Sequence, residues 1–284
     1  MHSPTVTLSI HQLKLKLRFF PGSLFFMICL WVTEPVKAQT DLEVGPYIGD
    51  SYYLGDLNPD VPFRMAQIAY GAMARYNLDD RWSFKLGITR GKVEGNSNNT
   101  NFLPGRDLQF ESPINDLSVT AEFNFFSYFT GSRWNWITPY LYAGIGVFTF
   151  QPESGGKKLQ PLGTEGQNVG YDGRKPYKTW GVSIPFGLGI KVSVSKKIGL
   201  TAFWEMHKTF TDYIDDVSTT YYLNGPAINQ NDVAGALSDP TRNHLPGMQR
   251  GNPNNDDWYS FSGLTVSYKF SLKGSRRCKD NKHF

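Results

Sequence analysis

PYLYAGIGV, residues 139–147, decides how this chain is read. Leu141, Ala143, Ile145 and Val147 occupy one set of alternate positions, and Tyr140, Tyr142, Gly144 and Gly146 the other. A strand sends successive side chains to opposite faces, so period-two patterning gives one oily face and one wetter face. The pattern recurs over about 42–55, 63–77, 81–93, 114–126, 138–150, 178–194, 198–210 and 257–270, eight strands in all. In a soluble sandwich the oily face meets a second sheet. In an outer-membrane barrel it meets lipid, and the polar face fills the lumen.

Connection lengths favour the barrel, because such barrels alternate short periplasmic turns with longer outer loops. Leu78-Asp79-Asp80 and Ser195-Lys196-Lys197 are tight, and 127–137 is moderate. The connections over 94–113, 151–177 and 211–256 are long and polar, and only the first outer one, 56–62, is short. An even strand count puts both mature termini in the periplasm. Tyr76, Trp82, Phe84, Phe123, Phe125, Trp136 and Phe270 are expected at the periplasmic rim, with Phe150, Trp180, Trp204 and Trp258 nearer the outer rim. Amphipathic rings favour the headgroup boundary.

In the same register Ser118, Thr120, Glu122 and Asn124 point into the lumen, and Leu117, Val119, Ala121 and Phe123 face lipid. Gly144, Gly146, Gly187 and Gly189 fall on the inward set and make room for Tyr140, Tyr142 or Lys191. Eight strands enclose a space that side chains can fill, so an open solute pore is not expected. Pro46, Pro139 and Pro185 fit only at strand starts, rims or bulges.

The ends agree with export. Lys14, Lys16 and Arg18 precede a short apolar run, Phe19 to Val32, and Val36-Lys37-Ala38 is a small-x-small cleavage site. Ile28 before Cys29 does not suit lipoprotein processing, which leaves Cys278 as the only mature cysteine and no intramolecular disulfide. Removing residues 1–38 takes away four of the 29 basic residues and one of the 25 acidic ones, leaving a net charge near +1. Nothing there points to nucleic acid. Leu264, Val266, Tyr268 and Phe270 alternate into a terminal aromatic, the form of a closing barrel strand, ahead of a basic tail over 273–284. The expected fold is thus all-β, an eight-stranded antiparallel transmembrane β-barrel with long extracellular loops. Signal peptide 1–38, barrel 39–272 and periplasmic tail 273–284 account for the chain.

Several segments resemble a known group. The run Thr209-Phe210-Thr211-Asp212-Tyr213-Ile214-Asp215-Asp216-Val217-Ser218-Thr219-Thr220-Tyr221 resembles the signature of the PorG-like outer-membrane barrels of the Bacteroidetes type IX secretion system. Tyr53 to Leu57, Arg75-Tyr76-Asn77, Pro139 to Val147, Thr164-Glu165-Gly166, Ile184 to Gly189 and Cys278 are similar to the same group. Ile214 stands where many members keep Leu, and Gln151-Pro152 where Asn-Pro is usual. The resemblance implies a non-enzymatic barrel that anchors or assembles the periplasmic ring of PorK-like and PorN-like proteins. Because some species encode several such barrels, it also leaves open a paralogue without that role.

Three clusters carry candidate chemistry. Asp212, Tyr213, Asp215 and Asp216 mark the loop signature; Ca²⁺ is conceivable there, but a hydrogen-bonded turn is the commoner role for such residues. Glu205, His207 and Thr209 share a strand face, which raises a lipid hydrolase with Thr209 as the hydroxyl, no nearby serine taking its place. His207, His244, His283 and Cys278 lack zinc-ligand spacing, so neither metal nor cofactor is expected. In the tail, Lys273, Arg276, Arg277 and Lys279 are candidate contacts for an acidic partner surface. A third possibility is an adhesive or ligand-binding barrel acting through its loops.

Overall fold

A computed structural model describes residues 41–229 and 231–271. Eight long strands form the wall: β1 (Asp41–Leu54), β2 (Gln67–Asn77), β3 (Trp82–Asn96), β4 (Gln109–Asn124), β5 (Ile137–Phe150), β8 (Trp180–Ser193), β9 (Ile198–Thr209) and β10 (Trp258–Ser271). Two short strands, β6 (Glu153–Ser154) and β7 (Lys157–Lys158), form a hairpin in the loop between β5 and β8. Each long strand pairs antiparallel with two neighbours, and β1 pairs with both β2 and β10. The sheet therefore closes on itself as an eight-stranded antiparallel barrel and has no free edge to protect.

The wall follows the alternation. Along β4, Ser118, Thr120, Glu122 and Asn124 are buried, whereas Leu117 and Val119 are exposed. Ile48, Ile68, Ile88, Ile145, Leu188 and Leu264 likewise lie exposed on the outer surface. About eight residues of a strand tilted near 40° cover roughly 20 Å, close to the apolar height of an outer-membrane barrel. Tyr76, Trp82, Phe84, Phe125, Trp136 and Phe270 are exposed toward the short-turn end of this band, with Trp180 toward the long-loop end. Phe150 departs from the expected girdle. It is 3 % exposed and stacks inside on Phe148 and Tyr177, because it continues the inward set of Tyr140, Tyr142 and Phe148.

Boundaries shift where the chain leaves lipid. β2 begins at Gln67 rather than 63, since Phe63 and Met65 have φ of 60° and 54° and cannot continue a strand. The first long-end connection is therefore 55–66, not short. β3 and β4 run on past the wall, paired to Asn96↔Gln109, and β6 adds to β4 through Glu111↔Glu153. Their outward faces there carry Glu94, Asn96, Gln109 and Glu111, which a reading of polarity assigns to loop.

Pro46 and Pro185 lie within strands, not at starts. Pairing lapses beside each: β1 pairs β10 at Val44 and again at Tyr47, and β5 pairs β8 at Gly146 and again at Ala143. The missing N–H therefore falls in a gap in the ladder. The inward glycines are packing devices: a Cβ on Gly187 or Gly189 would stand 2.7 Å from the Tyr142 hydroxyl or the Tyr140 ring. Apolar side chains gather inside the long-loop mouth, where Tyr53, Leu57, Phe110, Ile114, Phe148, Ile214 and Phe261 form one cluster.

Candidate functional site

Opposite charges from facing strands fill the middle of the barrel. Glu122, 0 % exposed, takes Arg75 Nε at 2.7 Å, Lys191 Nζ at 2.7 Å and the Ser83 hydroxyl at 2.9 Å. Arg75 reaches on to Glu43 at 3.1 Å. Higher up, Lys85 meets Glu205 at 3.1 Å and lies over the Tyr142 ring. One cavity of about 20 Å³ remains beside Arg75, Lys85 and Glu205, room for about one water. These pairs plug the lumen.

His207 bears on the hydrolase alternative. Its Nε2 lies 3.0 Å from Glu205 Oε1 and its Nδ1 3.2 Å from the Ser183 hydroxyl. The expectation that no serine stands near is thus corrected. Ser183 comes from the neighbouring strand, where it pairs with Thr209, so no spacing along one strand reveals it. Thr209 itself donates to the Asp257 carbonyl at 2.5 Å. An acid, a base and a hydroxyl in hydrogen-bond sequence resemble a triad. Here Ser183 and His207 are both 0 % exposed and face inward, while lipid meets Val182, Ile184 and Lys208 on the opposite face.

The short-turn end is closed by residues 125–136. Thr130 donates to Glu43 at 2.6 Å, Gly131 N–H to the Ser193 hydroxyl at 2.7 Å, and Tyr128 N–H to the Asp80 carbonyl at 3.1 Å. Lys269 donates to the Thr130 carbonyl. This one turn thus ties together the 78–81 turn, the end of β8 and both strands of the closure, β1 and β10. Its tip presents Trp134, 93 % exposed, beside Arg133.

At the opposite end the loops 151–179 and 210–257 build a cap. The Tyr53 hydroxyl lies 2.5 Å from an Asp215 oxygen and 2.9 Å from an Asp257 oxygen and is shared by the two carboxyls. Asp257 also accepts the Ile214 N–H at 2.8 Å, and Asp215 the Val217 N–H at 2.8 Å. Asp216, at φ 64°, accepts from Thr164 and, at 2.6 Å, from Tyr177. Glu165 takes the Ser218 N–H at 2.9 Å, the Thr219 hydroxyl at 2.6 Å and Arg250 at 3.0 Å. Burial pushes the carboxyls of Asp56 and Asp216 up to about 6 and that of Asp212 up to about 9, with neighbouring Asp215 adding to the Asp212 rise. Asp215 and Asp257 are raised by the same burial.

Of the sequence-derived residues, Asp212, Asp215 and Asp216 are buried together at the base of this cap, with half-buried Tyr213 stacked on Tyr177 at 4.5 Å. Asp56 and Glu165 join this cap from the resemblance segments 53–57 and 164–166, and Arg250 and Asp257 from the far end of the 210–257 loop, so spacing along the chain marks none of the four as a site residue. Lys273, Arg276, Arg277 and Lys279 lie outside the described residues, as does the 1–38 segment. Among the described residues, no three His, Cys, Asp or Glu side chains are grouped to hold a metal ion.

The family model described as a domain of unknown function (DUF6089) matches residues 22–222. The chain belongs to this family. No curated protein matches it. Among solved structures, the DUF6089 chain is similar to Neisserial surface protein A at 12 % identity and TM-score 0.42, covering 81 % of this chain and 97 % of that one. It is similar to the attachment invasion locus protein Ail of Yersinia pestis, in complex with a heparin analogue, at 9 % and 0.41, covering 82 % and 99 %. For OprG of Pseudomonas aeruginosa the figures are 13 % and 0.40, covering 83 % and 98 %.

Proposed function

We propose that this chain is a non-enzymatic outer-membrane barrel of the type IX protein secretion system that anchors or assembles the periplasmic ring of PorK-like and PorN-like proteins. The observation that carries the membrane part is the wall: a closed barrel wearing exposed Ile, Leu and Val around its outside and ion pairs inside. A soluble protein rarely exposes a contiguous apolar patch beyond a few hundred Å², whereas lipid requires one. A lumen filled by Glu122, Arg75 and Lys191 supports an anchor over a solute channel. The sequence resemblance supplies the secretion part, with the short-turn end and both mature termini in the periplasm.

The turn 125–136 and the tail Lys273, Arg276, Arg277 and Lys279 are the proposed contacts with the ring. Deleting 272–284, or replacing Trp134 by Ala, is expected to leave the barrel inserted and to lower recovery of ring proteins in crosslinked pull-downs from outer membranes. Unchanged ring recovery in both variants would refute the role. The lipid-hydrolase alternative predicts altered lipid A after His207→Ala, where the anchor predicts none. An adhesive barrel predicts loss of surface binding, without loss of secretion, once the loops are shaved by protease on intact cells.

A further inference from the structure

Near the long-loop mouth, four neighbouring strands line up two outward rows on the barrel wall. The upper row is Arg90, Asn115, Thr149 and Trp180, paired in that order across β3, β4, β5 and β8. The row beneath it is Ile88, Leu117, Val147 and Val182, and every member of both rows is exposed. Between Ile88 and Trp180 the wall holds a groove of about 470 Å³. The short side chains of Val147 and Thr149 stand there between the longer Leu117 and Trp180, which leaves the hollow. Two cations edge it. Arg90 ends the upper row on β3, and Lys178 holds its ammonium 5.3 Å from the centre of the Trp180 ring on the far side. Among the described residues neither is in an ion pair, whereas Lys92, the next outward residue of β3, meets Glu94 at 2.6 Å and Glu111 at 2.9 Å. Long cationic side chains at the edge of an apolar membrane band present their charge at headgroup depth, where phosphates lie.

We propose that this face of the barrel binds a phosphorylated glycolipid of the outer leaflet, with an acyl chain in the groove and its anionic groups on Arg90 and Lys178. The site rests on the membrane reading above, with the long loops outward, and on no part of the secretion role. The upper row sets the headgroup. Three strand spacings, roughly 14 Å, separate the backbones of Arg90 and Trp180. Between the two cations lie an amide and a hydroxyl, Asn115 and Thr149, 3.1 Å apart in a hydrogen bond of their own. A headgroup of that width, with hydrogen-bonding surface between its charges, is a phosphorylated sugar and not a single phosphodiester. Arg90 offers the planar fork that suits a phosphate, and the aliphatic row beneath suits hydrocarbon. The acidic row Glu94, Glu111 and Glu153 stands two rows farther out, beyond Lys92, which already holds the first two of these carboxylates. It therefore does not share the headgroup level with Arg90.

The test measures lipid binding to the full-length barrel by native mass spectrometry in mild detergent with EDTA, so that no divalent ion bridges lipid to Glu94 or Glu111. The probes are bis-phosphorylated lipid A, phosphatidylglycerol and phosphatidylcholine. Lipid A is expected to bind roughly tenfold more tightly than phosphatidylglycerol. Arg90→Gln combined with Lys178→Gln is expected to lose that preference. Val147→Trp fills the groove with both cations kept, and is expected to weaken lipid A binding by a similar factor. Lys196→Gln, at the short-turn end, is expected to bind as wild type does. Heat-modifiable mobility and resistance to carbonate extraction are read on every protein. A wild type that carbonate extracts overturns the membrane reading, and this site with it. An inserted wild type that binds phosphatidylglycerol as tightly as lipid A overturns the site alone, as does a folded Arg90→Gln/Lys178→Gln double variant that keeps the preference. A barrel dimer that Val147→Trp abolishes also overturns it, for then a second copy fills the groove.

Discussion

Truncating Glu122 to Ala tests whether the lumen is held by charge. Glu122 is the only carboxylate within ion-pair reach of Lys191 among the described residues, at 2.7 Å, and it shares Arg75 with Glu43. After truncation Arg75 keeps Glu43. Lys191 keeps the Asn124 side chain at 2.9 Å and the Ser83 hydroxyl at 3.3 Å but no counter-charge. Removing one partner of a buried pair costs about 3–5 kcal/mol. Water drawn into the vacated, polar space offsets part of this, so the low end is expected, about 3 kcal/mol or two decades in the folding equilibrium. The assay is urea unfolding of the bilayer-inserted barrel, followed by fluorescence of wall tryptophans such as Trp82 and Trp136. A second arm adds Lys191→Met to Glu122→Gln, which removes both charges at nearly constant volume. That double variant is expected to be more stable than Glu122→Gln alone, because no unpaired cation remains. A loss under about 1 kcal/mol for Glu122→Ala, or a double variant no better than the single, refutes the reasoning.

Gly187→Val should abolish the folded, heat-modifiable band, because a Cβ there would sit 2.2 Å from the Trp204 carbonyl oxygen. Gly87→Ala, whose Cβ would meet only the Ser118 hydroxyl at 3.3 Å, should fold. Tyr53→Phe removes the hydroxyl that Asp215 and Asp257 share and should loosen the cap by about 1–3 kcal/mol, read as faster loop proteolysis with the barrel still folded. Cap stability should fall as pH rises. The folded carboxyls hold protons to about 6 at Asp56 and Asp216 and to about 9 at Asp212, above the ordinary value near 4, so the folded state binds more protons across that window. Stability is thus greatest in acid, declines from about pH 4 through 6 and on to 9, and the last part of the decline shrinks in Asp212→Asn, with buried Asp215 and Asp257 supplying the rest. A flat proteolysis rate from pH 5 to 9 would contradict the buried acidic cluster.

Strand number, closure and the facing of Glu122 or Leu117 were legible because they depend only on period-two alternation, which lipid on one side and a polar lumen on the other enforce together. Lumen packing was legible for the same reason: Gly187 and Gly189 sit inward opposite bulky Tyr142 and Tyr140. The alternation carries no such message beyond the membrane. The β3–β4 extension at Asn96 and Gln109 is polar on its outer face and apolar only toward Leu108, Phe110 and the cap, and so reads as loop. Pairs between strands, Ser183 with His207 on neighbouring β8 and β9 or Lys85 with Glu205 across the lumen, follow from barrel register and not from spacing along one strand. Phe150 shows the opposite failure. Aromatic identity suggested a lipid girdle, whereas its parity with Phe148 already placed it inside.

Segments that carry the family resemblance meet in space. Tyr53 of the 53–57 segment bonds Asp215 of the 209–221 run, Thr164 and Glu165 of the 164–166 segment bond Asp216 and the backbone of Ser218 and Thr219, and Asp56 holds the N–H of Asn252. The 209–221 signature is therefore the keystone of the cap, and its Asp215 and Asp216 carboxylates are engaged with the chain's own loops. On the proposed function, a partner at the opposite end is recognised by other residues, those of the 125–136 plate with its projecting Trp134. Two consequences separate. Loosening the cap through Tyr53→Phe should leave ring recovery unchanged, while Trp134→Ala should leave loop proteolysis unchanged. If either variant moved both readouts, the two ends would be coupled through the plugged lumen, and Glu43, which joins Thr130 of the plate to Arg75 and thence Glu122, would be the residue to replace next.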